Sequence, residues 1–338
     1  MEVLQIKKKA LNAWVDSLIR GDREVVGVVR KENRFVYAPL ASAADLTPDY
    51  DETILPPKKY FLPVKETLLS YTSGDPASCE AICDSRPRVI FGMHPGDCAA
   101  VALLDKTMQE VNTDPQYKAR RDNTVIVGLH PMTPYAHRFT SPVVAMAGYQ
   151  AADLMLTGLV DGSFAVEVVT EKGRALLPKK GAVKAAEPVM KAMEKAKGAV
   201  KNKLALNKDP RTLPAFLNNR EKDPVFDERA KRCFSCGSCV MVCPTCYCFD
   251  VVDEVELSLK KGVRTRTWDG CMLQGFAQVT GGHNFRKKPE DRFRHRIFRK
   301  AKYLVEKFGL PGCVGCGRCG HACTAGIASP VEVLNEMA

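Results

Sequence analysis

The spacing C-x2-C-x2-C-x3-C occurs twice in this chain, at Cys233, Cys236, Cys239 and Cys243 and again at Cys313, Cys316, Cys319 and Cys323. Three cysteines at two-residue gaps bend the backbone into a tight loop around a compact object. Such a loop takes three corners of a cubane, and the last cysteine of the other motif reaches the fourth. The spacing therefore predicts two [4Fe–4S] clusters. Cys233, Cys236, Cys239 and Cys323 hold one, and Cys313, Cys316, Cys319 and Cys243 hold the other. Structural zinc is the rival. Zinc sites pair two C-x2-C knuckles with two ligands per loop, which leaves the third cysteine of both loops unexplained. Gly237, Gly315 and Gly317 let the loop backbone approach the sulfurs. Pro244 ends the first motif without offering a donor; Thr324 takes that place in the second and offers a hydroxyl.

Eleven of the 14 cysteines lie in 226–338. A disulfide framework suits a small secreted chain, whereas clustered thiols in a chain of 338 residues point to metal. No apolar run is long enough to cross a bilayer, and residues 1–22 contain no signal-like apolar core, so a cytoplasmic protein is expected. The formal charge is +11 with neutral thiols. Two oxidised cluster units at −2 each would lower it to about +7, still basic.

The order of elements predicts an α+β protein in three parts. Residues 1–170 read as a mixed α/β domain. Residues 1–21 suggest an amphipathic helix, with Leu11, Trp14, Val15, Leu18 and Ile19 on one face and Gly21 at its end. Strands at 25–29 and 34–38 flank a hairpin turn. The strand at 88–92, a helix capped by Asp97, and the strand at 124–128 form a parallel βαβ unit. A further strand is expected at 163–169. Residues 171–225 form a Lys-rich helical linker, whose helix from Glu187 places Val189, Met193, Ala196, Val200 and Leu204 on one face. Its lysines read as a solvated surface rather than a docking face. Residues 226–338 form a mainly helical ferredoxin-type domain, with helices at "DEVELSLKKG" and at "DRFRHRIFRKAKYLVEKFG" ending at Gly309. Arg292, Arg294, Arg296 and Arg299 offset cluster charge.

These features resemble a family, the iron–sulfur β subunits of cytoplasmic sulfhydrogenases and the A subunit of anaerobic sulfite reductase. The resemblance covers most of the chain, through "ILPPKKYFLPVKETLL", "VIFGMHPGDCAAVALLD", "YKARRDNTVIVGL", "WDGC…GGHNFR" and both cysteine motifs. It implies an electron-transfer subunit of an anaerobic redox complex. Its partners would be a flavin/NAD(P)H-binding subunit and a hydrogenase, sulfite-reductase or heterodisulfide-reductase-type subunit. It also implies a further cluster in the N-terminal domain. The cysteines for that cluster are missing: Gly96 stands in the turn "HPGD", and "GLHPMTPYAHRFTSP" at 128–142 has none. That cluster reads as lost, and His130 and His137 nearby read as structural. Electrons would then enter and leave through the C-terminal domain. Cys79, Cys83 and Cys98 read as buried thiols outside any site.

His321, between Cys319 and Cys323, is a candidate to tune a cluster through its ring. Cys246, Cys248 and Cys271 exceed what two cubanes need. They support an alternative in which the chain is a thiol- or sulfur-active enzyme, although no paired base stands at suggestive spacing. No G-x-G-x-x-G is present, so nicotinamide or FAD binding by this chain is not expected. Basic charge beside a cluster also occurs in nucleic-acid-binding proteins. The Lys-rich helix lacks interleaved aromatics, however, and no nucleic acid partner is expected.

Overall fold

The computed structural model describes residues 2–74, 76–140 and 151–337. Its fold is α+β. An eight-stranded sheet organises the N-terminal half. In spatial order its strands are Ala182–Lys184, Glu2–Ile6, Phe164–Val168, Leu154–Gly158, Thr124–Leu129, Arg88–Met93, Glu24–Lys31 and Arg34–Pro39. Leu154–Gly158, Thr124–Leu129, Arg88–Met93 and Glu24–Lys31 run parallel to one another, and the remaining neighbours pair antiparallel. Arg88–Met93 and Thr124–Leu129 are buried at every position, as parallel strands covered on both faces must be. One face packs against Leu11, Trp14 and Val15, and the other against Tyr37, Tyr50, Phe61 and Tyr117.

The expected hairpin, the βαβ unit and the strand near 163–169 are present. The N-terminal helix is shorter than expected. Residues Glu2–Ile6 form the strand next to the Ala182–Lys184 edge of the sheet, and the helix is Lys8–Ile19. The helix after the Arg88–Met93 strand starts at Pro95, with His94 at its cap. Asp97 lies inside its first turn, turned toward an arginine rather than capping. The Lys-rich helix ends at Ala199; Met193 alone is buried along it, and Leu204 belongs to a short strand. The strand Ala182–Lys184 joins the sheet, and the helix packs beside two of its strands.

A second correction concerns "DEVELSLKKG". It forms no helix. Phe249–Val255 and Lys261–Trp268 pair as an antiparallel hairpin, and the second strand pairs in turn with Lys65–Thr72. The ladder hydrogen bonds come from a segment nearly 200 residues away, so local pattern could not supply the answer. Arg266 secures this sheet by reaching Glu66 at 2.6 Å and also pairing with Asp114.

The remaining C-terminal segment is helical around Phe293, Ile297, Phe298, Leu213 and Leu217. Pro289–Phe298, a π-helical turn Arg299–Tyr303 and Leu304–Phe308 make one continuous rod, ended by Gly309 in the left-handed region as expected. Its end packs with Leu310 and Val314 against Ala99, Ala100 and Leu103 of the Pro95–Met108 helix. No described helix is long and apolar enough to cross a membrane.

Candidate functional site

The two motifs fold alike. In each, the third cysteine opens a short helix, Ser238–Met241 or Arg318–Ala322, whose cap is a left-handed glycine, Gly237 or Gly317. Both glycines are required. A Cβ at Gly237 would press into Leu273, and one at Gly317 would stand 2.5 Å from the His137 backbone. The residue two before each also has positive φ. In the second motif it is Gly315, and in the first it is Ser235, at φ 53. A serine there costs about 1–2 kcal/mol in backbone strain. Its position is held by Arg292, whose Nη2 donates to Ser235 Oγ at 2.8 Å. The Ser235 amide in turn points at Cys233 Sγ, 3.4 Å away.

The cysteines sort into two cavities. Cys233, Cys236, Cys239 and Cys323 line one, with Met272, Phe293 and Ile327 behind them. Cys243, Cys313, Cys316 and Cys319 line the other, with Pro244 and Lys300. Among the described residues, no three cysteine, histidine or acidic side chains close around a single-ion site. The sulfurs are spread around cavities instead.

Between and beside the two sets lies a stripe of buried cations. Arg292, Arg296 and Lys300 recur every fourth residue along the rod and face inward. Arg294 and Arg299 lie on its flanks. Arg294 pairs with Asp291, and Arg299 sits over the Tyr247 ring. Arg296 is 1% exposed. Its Nη1 donates to the Ala328 carbonyl, while Nε and Nη2 have no partner. Lys300 donates to Cys243 Sγ at 3.1 Å, to Thr245 Oγ1 and to the Gly312 carbonyl. Neither Arg296 nor Lys300 ion-pairs with a carboxylate among the described residues. A buried cation without a counter-ion is unfavourable by several kcal/mol. Neighbouring cysteine sulfurs favour the charged form of both residues against the burial that opposes it. The site is thus built to face negative charge.

Arg318 lies between Cys316 and Cys319. It is 2% exposed and bridges the motif to the N-terminal half. Its guanidinium binds Asp97 through both nitrogens, at 2.6 and 2.8 Å, and Glu52 at 2.5 Å. Sequence reasoning missed Arg318 and Lys300. The four-residue spacing after Arg292 and Arg296 was a signal for Lys300. Nothing local marked Arg318.

His321 lines neither cysteine cavity. It borders a cavity of about 290 Å³ between the two halves, with Arg34, Tyr135 and Glu52. Arg34 donates to its Nε2 at 2.8 Å, so Nδ1 carries the proton and donates to Tyr135 at 2.6 Å. Burial and the Arg34 charge lower its pKa, in keeping with a neutral ring.

The surplus cysteines line neither cavity. The Cys246 amide donates to the Cys243 carbonyl at 3.4 Å, and Lys58 Nζ reaches the Cys246 carbonyl at 2.7 Å. Burial raises Cys248 to about 11 and pushes Cys271 up as well. The neighbouring Cys243 thiol, ahead of burial, raises Cys246. A nucleophilic thiol needs the opposite shift. Of the three N-terminal cysteines only Cys98 is buried. Cys79 and Cys83 are exposed, on and just after an edge strand, which corrects the expectation for both. His130 approaches Glu167 at 3.9 Å, and His137 stacks on His321. Residues 141–142, the end of the cysteine-free stretch, lie outside the described residues.

The C-terminal segment is a 4Fe–4S dicluster domain: residues 232–327 match the model of that family. Over 317 residues the chain is 32% identical to sulfhydrogenase 2 subunit beta of Pyrococcus furiosus, covering 93% of this chain and 92% of that one. The chain belongs to the family of sulfhydrogenase β subunits, and it is an iron–sulfur protein. No solved structure matches it.

Proposed function

We propose that this chain is the two-cluster electron relay of a multi-subunit redox complex. It would connect a flavin subunit that oxidises NAD(P)H with a hydrogenase or reductase subunit. Cys233, Cys236, Cys239 and Cys323 would hold one [4Fe–4S] cluster, and Cys313, Cys316, Cys319 and Cys243 the other. Bound there, the clusters would supply reversible one-electron exchange.

The observation that carries this reading is the pair of buried cations, Arg296 and Lys300, beside eight cysteines and without a carboxylate counter-ion. Two anionic cluster units supply the missing charge. The residues of the chain then have definite tasks. Lys300 donates to the Cys243 sulfur and so favours the more negative, reduced state of the second site. The Arg292–Ser235 contact holds the first loop in its left-handed turn. The aliphatic and aromatic wall of Met272, Phe293 and Ile327 keeps water from the inner side of the first cavity. The N-terminal half serves as an assembly surface, consistent with a cytoplasmic, membrane-free complex.

Anoxic purification of the chain from its native source, with its co-eluting subunits, tests this reading. The expected result is a complex whose visible iron–sulfur absorption bleaches on addition of NADH or NADPH. A chain that elutes alone, or a complex that NAD(P)H never bleaches, contradicts the proposed place in the relay.

A further inference from the structure

The hairpin beside the first motif ends the four-stranded sheet on an open edge. Phe249–Val255 pairs only with Lys261–Trp268, and every residue along it is exposed. The register between the two strands is unbroken, from Phe249 opposite Trp268 to Val255 opposite Gly262. It continues at both ends, where the Glu256 amide donates to the Lys261 carbonyl at 2.9 Å and the Asp269 amide to the Cys248 carbonyl at 3.1 Å. Hydrogen-bonded pairs alternate along an antiparallel ladder. The even-numbered residues from 248 to 256 therefore bond to the neighbouring strand. The N–H and C=O groups of Phe249, Val251, Asp253 and Val255 point outward, and none has a partner among the described residues.

An edge of this kind attracts a further strand, and proteins guard against it with prolines, lysines, bulges or short length. This strand has seven residues and none of those guards. The other edges of the two larger sheets are short or covered. Ala182–Lys184 and Ser78–Ala81 have three and four residues, and the edge of Arg34–Pro39 takes the chain at Thr53 and Ile54. The open strand also carries apolar side chains on both faces. Phe249, Val251 and Val255 lie on one face and Val252 on the other, each 40–49% exposed.

The charges define what suits this edge. The strand holds three acids, Asp250, Asp253 and Glu254, and no base. Asp253 pairs with Arg264 and Glu254 with Lys65, while Asp250 has no partner among the described residues. A second copy of the strand is a poor occupant. In the antiparallel register that matches all seven residues, Asp250 would face Glu254 at two places, and like charges directly opposite are destabilising. A strand with lysine or arginine opposite Asp250 and Glu254 meets no such penalty. The hairpin is also rooted at the first motif: a Cβ at Gly270, two residues past its second strand, would stand 2.4 Å from Val240 of the Ser238–Met241 helix. A segment bound to the hairpin is thereby tied to an element packed against the exposed cysteine site.

We propose that Phe249–Val255 is a docking strand, onto which another subunit lays an extended segment of alternating basic and apolar residues as a further strand of the sheet. This rests on the reading of the chain as one subunit of a redox complex, and it names the surface and the chemistry of the contact.

Val251→Pro is the sharpest probe. Its amide faces outward, so proline spares the ladder to Lys261–Trp268 and blocks the added strand. Asp250→Lys reverses the unpaired acid. The tagged full-length chain is purified anoxically from its native source, and the co-eluting subunits are quantified against it. Each variant should lower the retained partner by about tenfold or more, with iron content unchanged. Hydrogen exchange gives a second readout. The amides of Phe249, Val251, Asp253 and Val255 should exchange fast in the chain produced alone and roughly tenfold or more slowly in the complex, while those of Asp250, Val252 and Glu254 stay protected in both. If Val251→Pro disorders the hairpin, seen as lost protection at those three, Asp250→Lys and the wild-type exchange pattern decide. Full retention of the partner by the folded variants overturns the proposal, as do outward amides that exchange as fast in the complex as alone. Capture of nothing but a second copy also overturns it. A complex that NAD(P)H never bleaches but that Val251→Pro takes apart would contradict the relay and leave the docking strand standing.

Discussion

The two cysteine motifs share one spacing and one backbone, yet they sit in different surroundings. The first lies at the surface, where Cys236 and Phe234 are exposed. The second lies under the N-terminal half. The Phe139 amide binds the Gly315 carbonyl at 3.1 Å, His137 fills the space a side chain at Gly317 would need, and Arg318 binds Asp97. The position that Arg318 occupies in the second motif is Ser238 in the first, where the hydroxyl only contacts Cys236 Sγ at 3.3 Å. The spacing encodes the loop, and residues between the cysteines decide whether the loop is docked or open. An exposed site suits exchange with a partner, and a covered one suits storage or transfer within the complex.

The sharpest way to break this comparison is to remove the residue that links the sites. Cys243 belongs to the first motif in sequence but lines the second cavity. In the purified complex, Cys243→Ser should lower iron from about eight to about four atoms per chain, if each cubane holds four. The lost spectroscopic signal should be that of the covered site. Cys236→Ser should remove the other. Loss of the same signal in both variants would end the crossed assignment.

Next in size is the docking contact. Arg318→Ala leaves Asp97 and Glu52 buried without the guanidinium that pairs with both, and should destabilise the chain by about 3–5 kcal/mol. Ser238→Ala, at the matching position of the open motif, should cost no more than about 1 kcal/mol. Thermal or denaturant unfolding under anoxic conditions measures both. Equal effects would mean that the two motifs are not differently anchored.

A smaller change is expected in potential. Lys300→Met removes a charged donor from Cys243, worth about 1.5–3 kcal/mol, and should make the covered site roughly 60–130 mV more negative. The open site has no such lysine and should hold its potential. Redox titration followed by electron paramagnetic resonance reads both values in one sample.

The smallest is Ser235→Gly. It relieves left-handed strain and loses the hydrogen bond from Arg292, so the two effects nearly cancel. Stability should change by less than about 1 kcal/mol, measured by the same unfolding curves. A larger loss would show that the serine hydroxyl, rather than the loop shape, holds the first motif.

Much of this was legible in the sequence. The strands at 88–93 and 124–129 declared themselves as short apolar runs, and the cysteine spacing grouped the eight thiols as the cavities do. What was not legible depends on distant partners. The Phe249–Val255 and Lys261–Trp268 hairpin is charged and largely exposed, so it carries no strong period of either kind. Its order comes from Lys65–Thr72. Glu2–Ile6 continues the apolar pattern of the helix after it, and only its place between two strands makes it β. Arg318 looks like any basic loop residue until Asp97 is brought to it across 221 positions. Lys300 stands one turn after Arg296 on the same inward face, but a lysine in so basic a helix reads as a solvated charge until its burial is seen.

The central claim is that the eight cysteines of the two motifs hold two [4Fe–4S] clusters, with none in the N-terminal half. Quantification of iron and acid-labile sulfide in the anoxically purified chain tests it most directly. The account predicts about eight of each per chain. About twelve of each would mean a further cluster in the N-terminal half, and about four would mean that only one of the two cavities is a cluster site; either result contradicts it.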